Sequence, residues 1–460
     1  MNVPCPLQSA TEDEPGAPAL TAPGLTIDYA ALNHLVAGTA GKLAAHGLRK
    51  GDRIAVCLEN QWQTVVVMLA AIRAGAVFCP LSTRLPDREV AARSRVLGAT
   101  CLVSHRRLEH GVEPDRLIGR GDAAGTPVPL DRPASIVFTS GSLGAARAAL
   151  HTFGNHYFSA SGSNRNIPLA PGDRWLLSLP LYHVGGMAII FRCLLGRAAI
   201  ALPDPAAPWV GHASTHASMV ATQLQRVLLD GREGDLPRKA ILLGGSTIPA
   251  RLIDRTVELG LPVHTSYGLT ETASQVTATA PEAGRDDLKT SGRTLPFRHL
   301  RIGDDGQILV RGETRFAGYV DGASLHRPFD EEGWFATGDL GRLDERERLT
   351  VLGRIDNLFV SGGENVLPEE IEAALAVDED VERVVVVPVQ DREYGMRPVA
   401  FVQSSGSVDE ARLRHRIEAV LPRFMVPDAF HPWPSDARGE GLKADRTWLR
   451  RRAEALRAAR

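Results

Sequence analysis

A chain of 460 residues is longer than one hydrophobic core can serve, so two or more domains are expected. A formal net charge of −2 gives no electrostatic reason to bind nucleic acid or an anionic membrane, and 44% hydrophobic with 23% charged residues is the composition of a globular chain. Five scattered cysteines without a C-x-x-C pair argue against a disulfide framework or zinc site, and no apolar run reaches transmembrane length. Residues 1–24 have several prolines and no apolar periodicity, and read as a loose arm. Glu12, Asp13 and Glu14 do not suit a signal peptide, and the cysteine usage suits a reducing cytosol, so a cytoplasmic protein is expected. Residues 29–46 carry Leu32, Leu35, Val36 and Leu43 in a pattern that suits an amphipathic helix. Gly51 and Asp52 then turn the chain into a strand over 53–58, followed by a helix over 62–74 and a strand over 75–80. This alternation argues for a layered α/β fold with a largely buried sheet.

Residues 122–133, rich in Gly, Ala and Pro, read as a linker to a small-residue loop. The β-rich run 136–138 feeds Thr139, Ser140, Gly141, Ser142 and Gly144, and the cation Arg147 follows. Small residues let the backbone approach an anion, and their hydroxyls and N–H groups supply donors. The spacing is not a Walker A loop, because Ala146 stands five positions after Gly141. It is not a nucleophile elbow either, because Ser140 stands where the first Gly of G-x-S-x-G belongs.

Residues 175–186 read as a buried strand ending in a turn, with His183 at the strand terminus and Gly185 and Gly186 leaving room for a ligand. Residues 240–249 repeat the design with Gly244, Gly245 and Ser246, and residues 263–272 gather Tyr267, Gly268, Thr270 and Glu271. Three such strand-end loops imply a ligand crevice along one sheet edge. Further on, Asp339 is expected in a tight glycine-flanked turn, followed by Arg354, Asp356 and the run Ser361, Gly362, Gly363. A helix over 367–375 has Pro368 near its first position and acids in its first turn. A strand over 381–389 and helices over 408–420 and 445–460 complete a compact α+β unit.

In this order the motifs resemble those of the acyl-adenylate-forming superfamily of acyl-CoA synthetases, adenylation domains and luciferases, over almost the whole chain. The resemblance implies a large layered N-terminal domain over 1–353, which binds AMP and the acyl substrate. A smaller α+β C-terminal domain over 354–460 is joined to it by a hinge at Asp356. It also implies ATP, Mg²⁺ and CoA, with a carboxylic acid as substrate. The family's phosphate loop falls on 139–148, with Thr139, Ser140, Gly141, Ser142, Gly144 and Arg147. Its aromatic-gate segment falls on 179–186, with His183 and Gly186, and its adenine segment on Gly244, Gly245 and Ser246. By resemblance Tyr267, with Gly268 after it, packs on adenine, Thr270 touches phosphate and Glu271 holds Mg²⁺. Asp339 takes the ribose hydroxyls with Arg354 beside it, and Lys443 bridges the attacking carboxylate and the α-phosphate. Gly362 and Gly363 reach the pantetheine tunnel when the small domain rotates.

Two positions depart from the family: Leu143 stands where it usually has Thr, and Ala146-Arg147 where it has Pro-Lys. Weaker ATP use, or a module that binds adenylate without turnover, is therefore the competing reading. The presence of Lys443, Glu271, Asp339 and Arg354 favours an active ligase. Residues 152–160 and 185–193 resemble the o-succinylbenzoate–CoA ligases of menaquinone biosynthesis. Arg192, in an otherwise apolar helix, suits a second carboxylate on an aromatic diacid. The alternatives are a structural arginine paired with an acid, and another aryl- or acyl-CoA ligase. The oligomeric state stays open, and a homo-oligomer is compatible with the sequence.

Overall fold

The computed structural model describes residues 1–108, 111–139, 146–204, 213–404, 406–436 and 445–458. Helix Trp62–Ala74 is buried around nearly its whole circumference and ends at Gly75, whose φ of 78° is the left-handed conformation that glycine supplies freely. Helix Tyr29–Ala45 starts where the Asp28 carboxylate accepts the Ala31 N–H at 2.7 Å. These two helices, with Phe153–Asn166 and Val184–Gly196, pack into one apolar cluster shared by two large sheets.

The first sheet has nine strands among the described residues. Its parallel centre runs Val263–Leu269, Ala240–Leu243, His216–Met219, Arg174–Leu176, Ala199–Ala201 and Pro18–Ala22. The second has eight, with Gly318–Asp321, Ala148–Thr152, Pro133–Phe138, Val77–Pro80 and Arg53–Cys57 lying side by side. Sheets of this kind, covered on both faces, need the near-continuous apolar strands that this chain supplies. A four-stranded antiparallel sheet ends with Leu349–Arg354. After the short turn Ile355–Asn357, a five-stranded sheet begins at Phe359 with a core of its own that includes Val366, Ile371, Val386 and Leu413.

Three expectations change. Residues 1–24 are not a loose arm: Pro6–Asp13 is a helix with Leu7 and Ala10 buried, and Pro18–Ala22 joins the nine-stranded sheet with Leu20 opposite Ile200. Pro6 sits at the helix start and Pro18 at the strand start, where a missing N–H does no harm. Within the expected linker, Val128–Pro129 pairs with Asn2–Val3. The helix expected over 408–420 spans Glu410–Glu418, because the Asp409 side chain caps its start. No helix among the described residues is long and apolar enough to cross a membrane.

Candidate active site

The parallel strands of the nine-stranded sheet share one direction, so their carboxyl ends open along one edge. Gly244, Gly245 and Ser246 leave strand Ala240–Leu243 at that edge. Tyr267 and Gly268 end the neighbouring strand Val263–Leu269, and Thr270 and Glu271 occupy the 3₁₀ turn that follows. Gly268 is required by close approach, since a Cβ there would lie 2.1 Å from the Ser274 carbonyl oxygen. His183 is not at a strand terminus. The strand stops at Leu176, and His183 is the exposed N-cap of helix Val184–Gly196, which carries Gly186 and Arg192.

Asp339 is not in a tight turn either. It lies in strand Phe335–Leu343, just before a break in register with Leu349–Arg354, which re-aims its side chain. Its carboxylate accepts the Tyr267 hydroxyl at 2.7 Å on one oxygen and the Arg354 guanidinium at 3.0 Å on the other. Burial, and then the Asp339 charge, pushes the Tyr267 hydroxyl far above its ordinary pKa, so it stays a donor. Arg354 also reaches Asp356 at 3.0 Å. A carboxylate offers about four lone-pair sites, so Asp339 keeps capacity for two more donors.

A second group surrounds Glu271, which is 7% exposed. The Tyr319 hydroxyl donates to its Oε1 at 2.5 Å, and Arg147 Nη2 lies 4.0 Å from the same oxygen. The Arg147 guanidinium stacks over the Tyr319 ring, 4.2 Å from its centre. Behind the loop, His151 donates from Nε2 to the Thr270 carbonyl at 2.7 Å. His151 is fully buried, and desolvation holds its pKa down at about 4; the neighbouring His156, 2.8 Å from Ser135 Oγ, is lowered further by burial and by His151. Both rings are neutral at pH 7.

The site's metal chemistry can be judged from its donors. Glu271 supplies one carboxylate, and no group of three or more His, Cys, Asp or Glu side chains converges among the described residues. That set fits Mg²⁺, which is held by one or two carboxylates together with substrate phosphates and water.

Arg192 is 1% exposed and meets no acid among the described residues. It donates through Nη2 to Gln275 Oε1 at 2.8 Å and to Ser274 Oγ at 3.4 Å, and lies over the Trp175 ring at 5.1 Å. Its Nε is buried without a partner, as is Gln275 Nε2. Desolvation lowers its pKa to about 10. A second buried cation, Arg298, donates to the carbonyls of Gln275, Pro296 and Ser159. Its pKa falls to about 9 through burial and then through Arg192.

The structure thus brings Tyr267, Asp339, Arg354 and Asp356 into one bonded chain, and gathers Arg147 and Glu271 around Tyr319. Thr139 is buried and its N–H meets the Arg147 carbonyl at 2.8 Å. Gly362 and Gly363, with φ of 60° and 88°, form an exposed hairpin turn bonded to Tyr394 rather than to this group. Ser140, Gly141, Ser142, Leu143, Gly144 and Lys443 lie outside the described residues. Tyr319, His151, Gln275 and Arg298 escaped the sequence reading, because each acts on a partner far away in the chain.

The chain matches two family models: "AMP-binding enzyme" over residues 7–320 and "AMP-binding enzyme C-terminal domain" over residues 370–437. It is 36% identical over 437 residues to the 2-succinylbenzoate–CoA ligase of Salmonella typhimurium, covering 94% of each chain. Among solved structures, it is similar to o-succinylbenzoate CoA synthetase from Bacillus subtilis in complex with the acyl-adenylate intermediate OSB-AMP. The TM-score there is 0.89, with 29% identity and 98% of each chain covered. The same B. subtilis enzyme in complex with ATP and a magnesium ion gives 0.87, at 28% identity over 98% of this chain and 100% of that one.

Proposed function

Because the chain belongs to the AMP-binding enzyme family, we propose that it is an ATP-dependent, AMP-forming ligase that joins 2-succinylbenzoate to CoA, a step toward menaquinone. One observation carries the choice of acid: Arg192 is a buried cation with no acid partner among the described residues and an unengaged Nε. An unpaired buried charge is costly, and a substrate carboxylate remote from the reacting one removes that cost.

In the first half-reaction the substrate carboxylate oxygen attacks the α-phosphorus of ATP. The bond to the bridging oxygen breaks and pyrophosphate leaves. Two anions must meet, so positioned positive charge and donors govern the rate. Arg147, Thr139 and the loop residues Ser140, Gly141, Ser142 and Gly144 serve the phosphates, with Thr270 beside them. Mg²⁺, when bound through Glu271 and the phosphates, neutralises developing charge. Asp339 accepts the ribose hydroxyls while Tyr267 and Arg354 hold its carboxylate in place. With its hydroxyl engaged, Tyr267 offers its ring to adenine, beside Gly244, Gly245, Ser246 and Gly268. His183 and Gly186 border the acyl group. In the second half-reaction the CoA sulfur attacks the acyl carbon and AMP leaves. Residues 354–460 form the mobile domain in this reading, with Asp356 the hinge that brings Gly362 and Gly363 to the thiol.

The hinge has its own test. Proline at position 356 fixes φ and hinders the backbone change that rotation needs. Asp356→Pro is expected to keep acid-dependent pyrophosphate release and to lose transfer to CoA; normal rates in both would place the hinge elsewhere. The function itself is tested by pyrophosphate release across a panel of acids, with and without CoA. Release driven by 2-succinylbenzoate above monocarboxylic aryl acids supports the reading. Release driven equally by a monoacid makes this another aryl-CoA ligase, and none with any acid makes it a binding module. A cytoplasmic location is part of the proposal, for fractionation to check, and the oligomeric state is left open.

A further inference from the structure

The contacts around Glu271 divide between two parts of one side chain. Tyr319 lies on strand Gly318–Asp321, directly opposite Ala149 of strand Ala148–Thr152, so it stands beside Arg147 at the start of that strand. It is 6% exposed, with Phe316 packed edge-on at 4.7 Å. The Phe316 N–H in turn donates to the Glu271 carbonyl at 2.8 Å. The ring therefore has little freedom. Its hydroxyl reaches Glu271 Oε1 at 2.5 Å, and its face carries the Arg147 guanidinium at 4.2 Å. Burial and then the Glu271 charge raise the Tyr319 pKa, which keeps the hydroxyl a donor. A planar guanidinium lies flat on a ring in a way an ammonium does not. Without that platform Arg147, whose side chain is 59% exposed, would sample many rotamers or collapse onto Glu271 4.0 Å away.

We propose that Tyr319 is a positioning residue of the nucleotide site with two separable handles: its hydroxyl aims the Glu271 carboxylate, and its ring face holds Arg147 ready for phosphate. The assignment rests on the nucleotide chemistry proposed above. It predicts that the two handles serve different ligands, the hydroxyl the cation and the ring the phosphate oxygens.

Calorimetric titration of the full chain with ATP, once with Mg²⁺ and once with EDTA, separates them. Tyr319→Phe keeps the ring and is expected to weaken ATP about tenfold with Mg²⁺, as loss of a hydrogen bond to a charged group does, and to leave binding in EDTA within about twofold. Tyr319→Leu is expected to weaken binding in EDTA as well, by about threefold. In an Arg147→Ala background the Phe and Leu variants should bind ATP alike in EDTA, because nothing remains for the ring to hold. The Phe variant changes one atom, and its thermal unfolding is recorded alongside. A Phe variant with unchanged affinity in Mg²⁺, or with equal losses in Mg²⁺ and EDTA, overturns the hydroxyl's role. A Phe–Leu difference that survives in the Arg147→Ala background overturns the ring's. Wild-type protein that binds no ATP in either buffer overturns the nucleotide reading itself, a result distinct from the others.

Discussion

Lys443→Ala is expected to lower acyl-adenylate formation by on the order of 10²–10³ while leaving CoA transfer from supplied adenylate near its normal rate. The asymmetry follows from charge. In the first half-reaction a carboxylate must approach an α-phosphate already flanked by negative oxygens, and an ammonium between them holds a geometry that water cannot preorganise. In the second half-reaction the electrophile is a neutral carbonyl and that bridge is not needed. Lys443 lies outside the described residues, so the expectation rests on the motif and on this chemistry. Single-turnover assays of each half-reaction check it. Equal losses in both would mean that Lys443 supports the fold or both chemistries, and the assignment would fail.

Arg192→Ala is expected to reduce kcat/KM for 2-succinylbenzoate by about 2–5 kcal/mol in transition-state terms, mainly through KM, while a monocarboxylic aryl acid changes little. Unlike an ordinary core arginine, Arg192 meets Gln275, Ser274 and Trp175 but no acid among the described residues. Arg192→Met separates charge from volume, because it fills much of the same space with an apolar chain. Taking an unpaired charge out of the core also removes its desolvation cost. The Met variant is therefore expected to melt no lower than wild type and still to lose the diacid. Steady-state kinetics on both acids, with thermal unfolding in parallel, decide the matter. An equal fall on both acids together with a lowered melting temperature would make Arg192 structural.

What was legible in the sequence was what neighbouring residues decide. Helix Trp62–Ala74 could be read to the residue, because an unbroken apolar run meets Gly75. The motif loops fell at the carboxyl ends of adjacent parallel strands, as strand-then-glycine patterns imply. The misreadings have distant causes. Leu20 looked like part of a proline-rich arm because its partner, Ile200, lies far along the chain. Asp339 looked like a turn residue because Gly338 and Gly341 flank it, yet those glycines belong to a kinked strand whose register only the pairing with Leu349–Arg354 sets. Tyr319 and Glu271 are 48 residues apart, His151 and Thr270 are 119, and no local pattern announces either bond. Arg192 announced a missing partner, but Gln275 and Arg298 became visible only in the fold.

The buried ring behind Thr270 also ties the stability of the fold to pH. An unfolded chain takes up a proton at His151 near pH 6.5, whereas the folded one resists until about 4. Between those values the unfolded state binds more protons, so stability falls as the solution is acidified, by about 3 kcal/mol once pH 4 is reached. His156 pulls the same way. When either ring does charge, it does so in direct contact with the segment that carries Thr270 and Glu271, or next to it. Acid should therefore loosen the segment that carries Thr270 and Glu271. Melting temperatures measured from pH 7 to 5 should drop, and His151→Gln, which keeps a donor for the Thr270 carbonyl but cannot titrate, should flatten that drop. An unchanged slope would mean that the proton goes elsewhere.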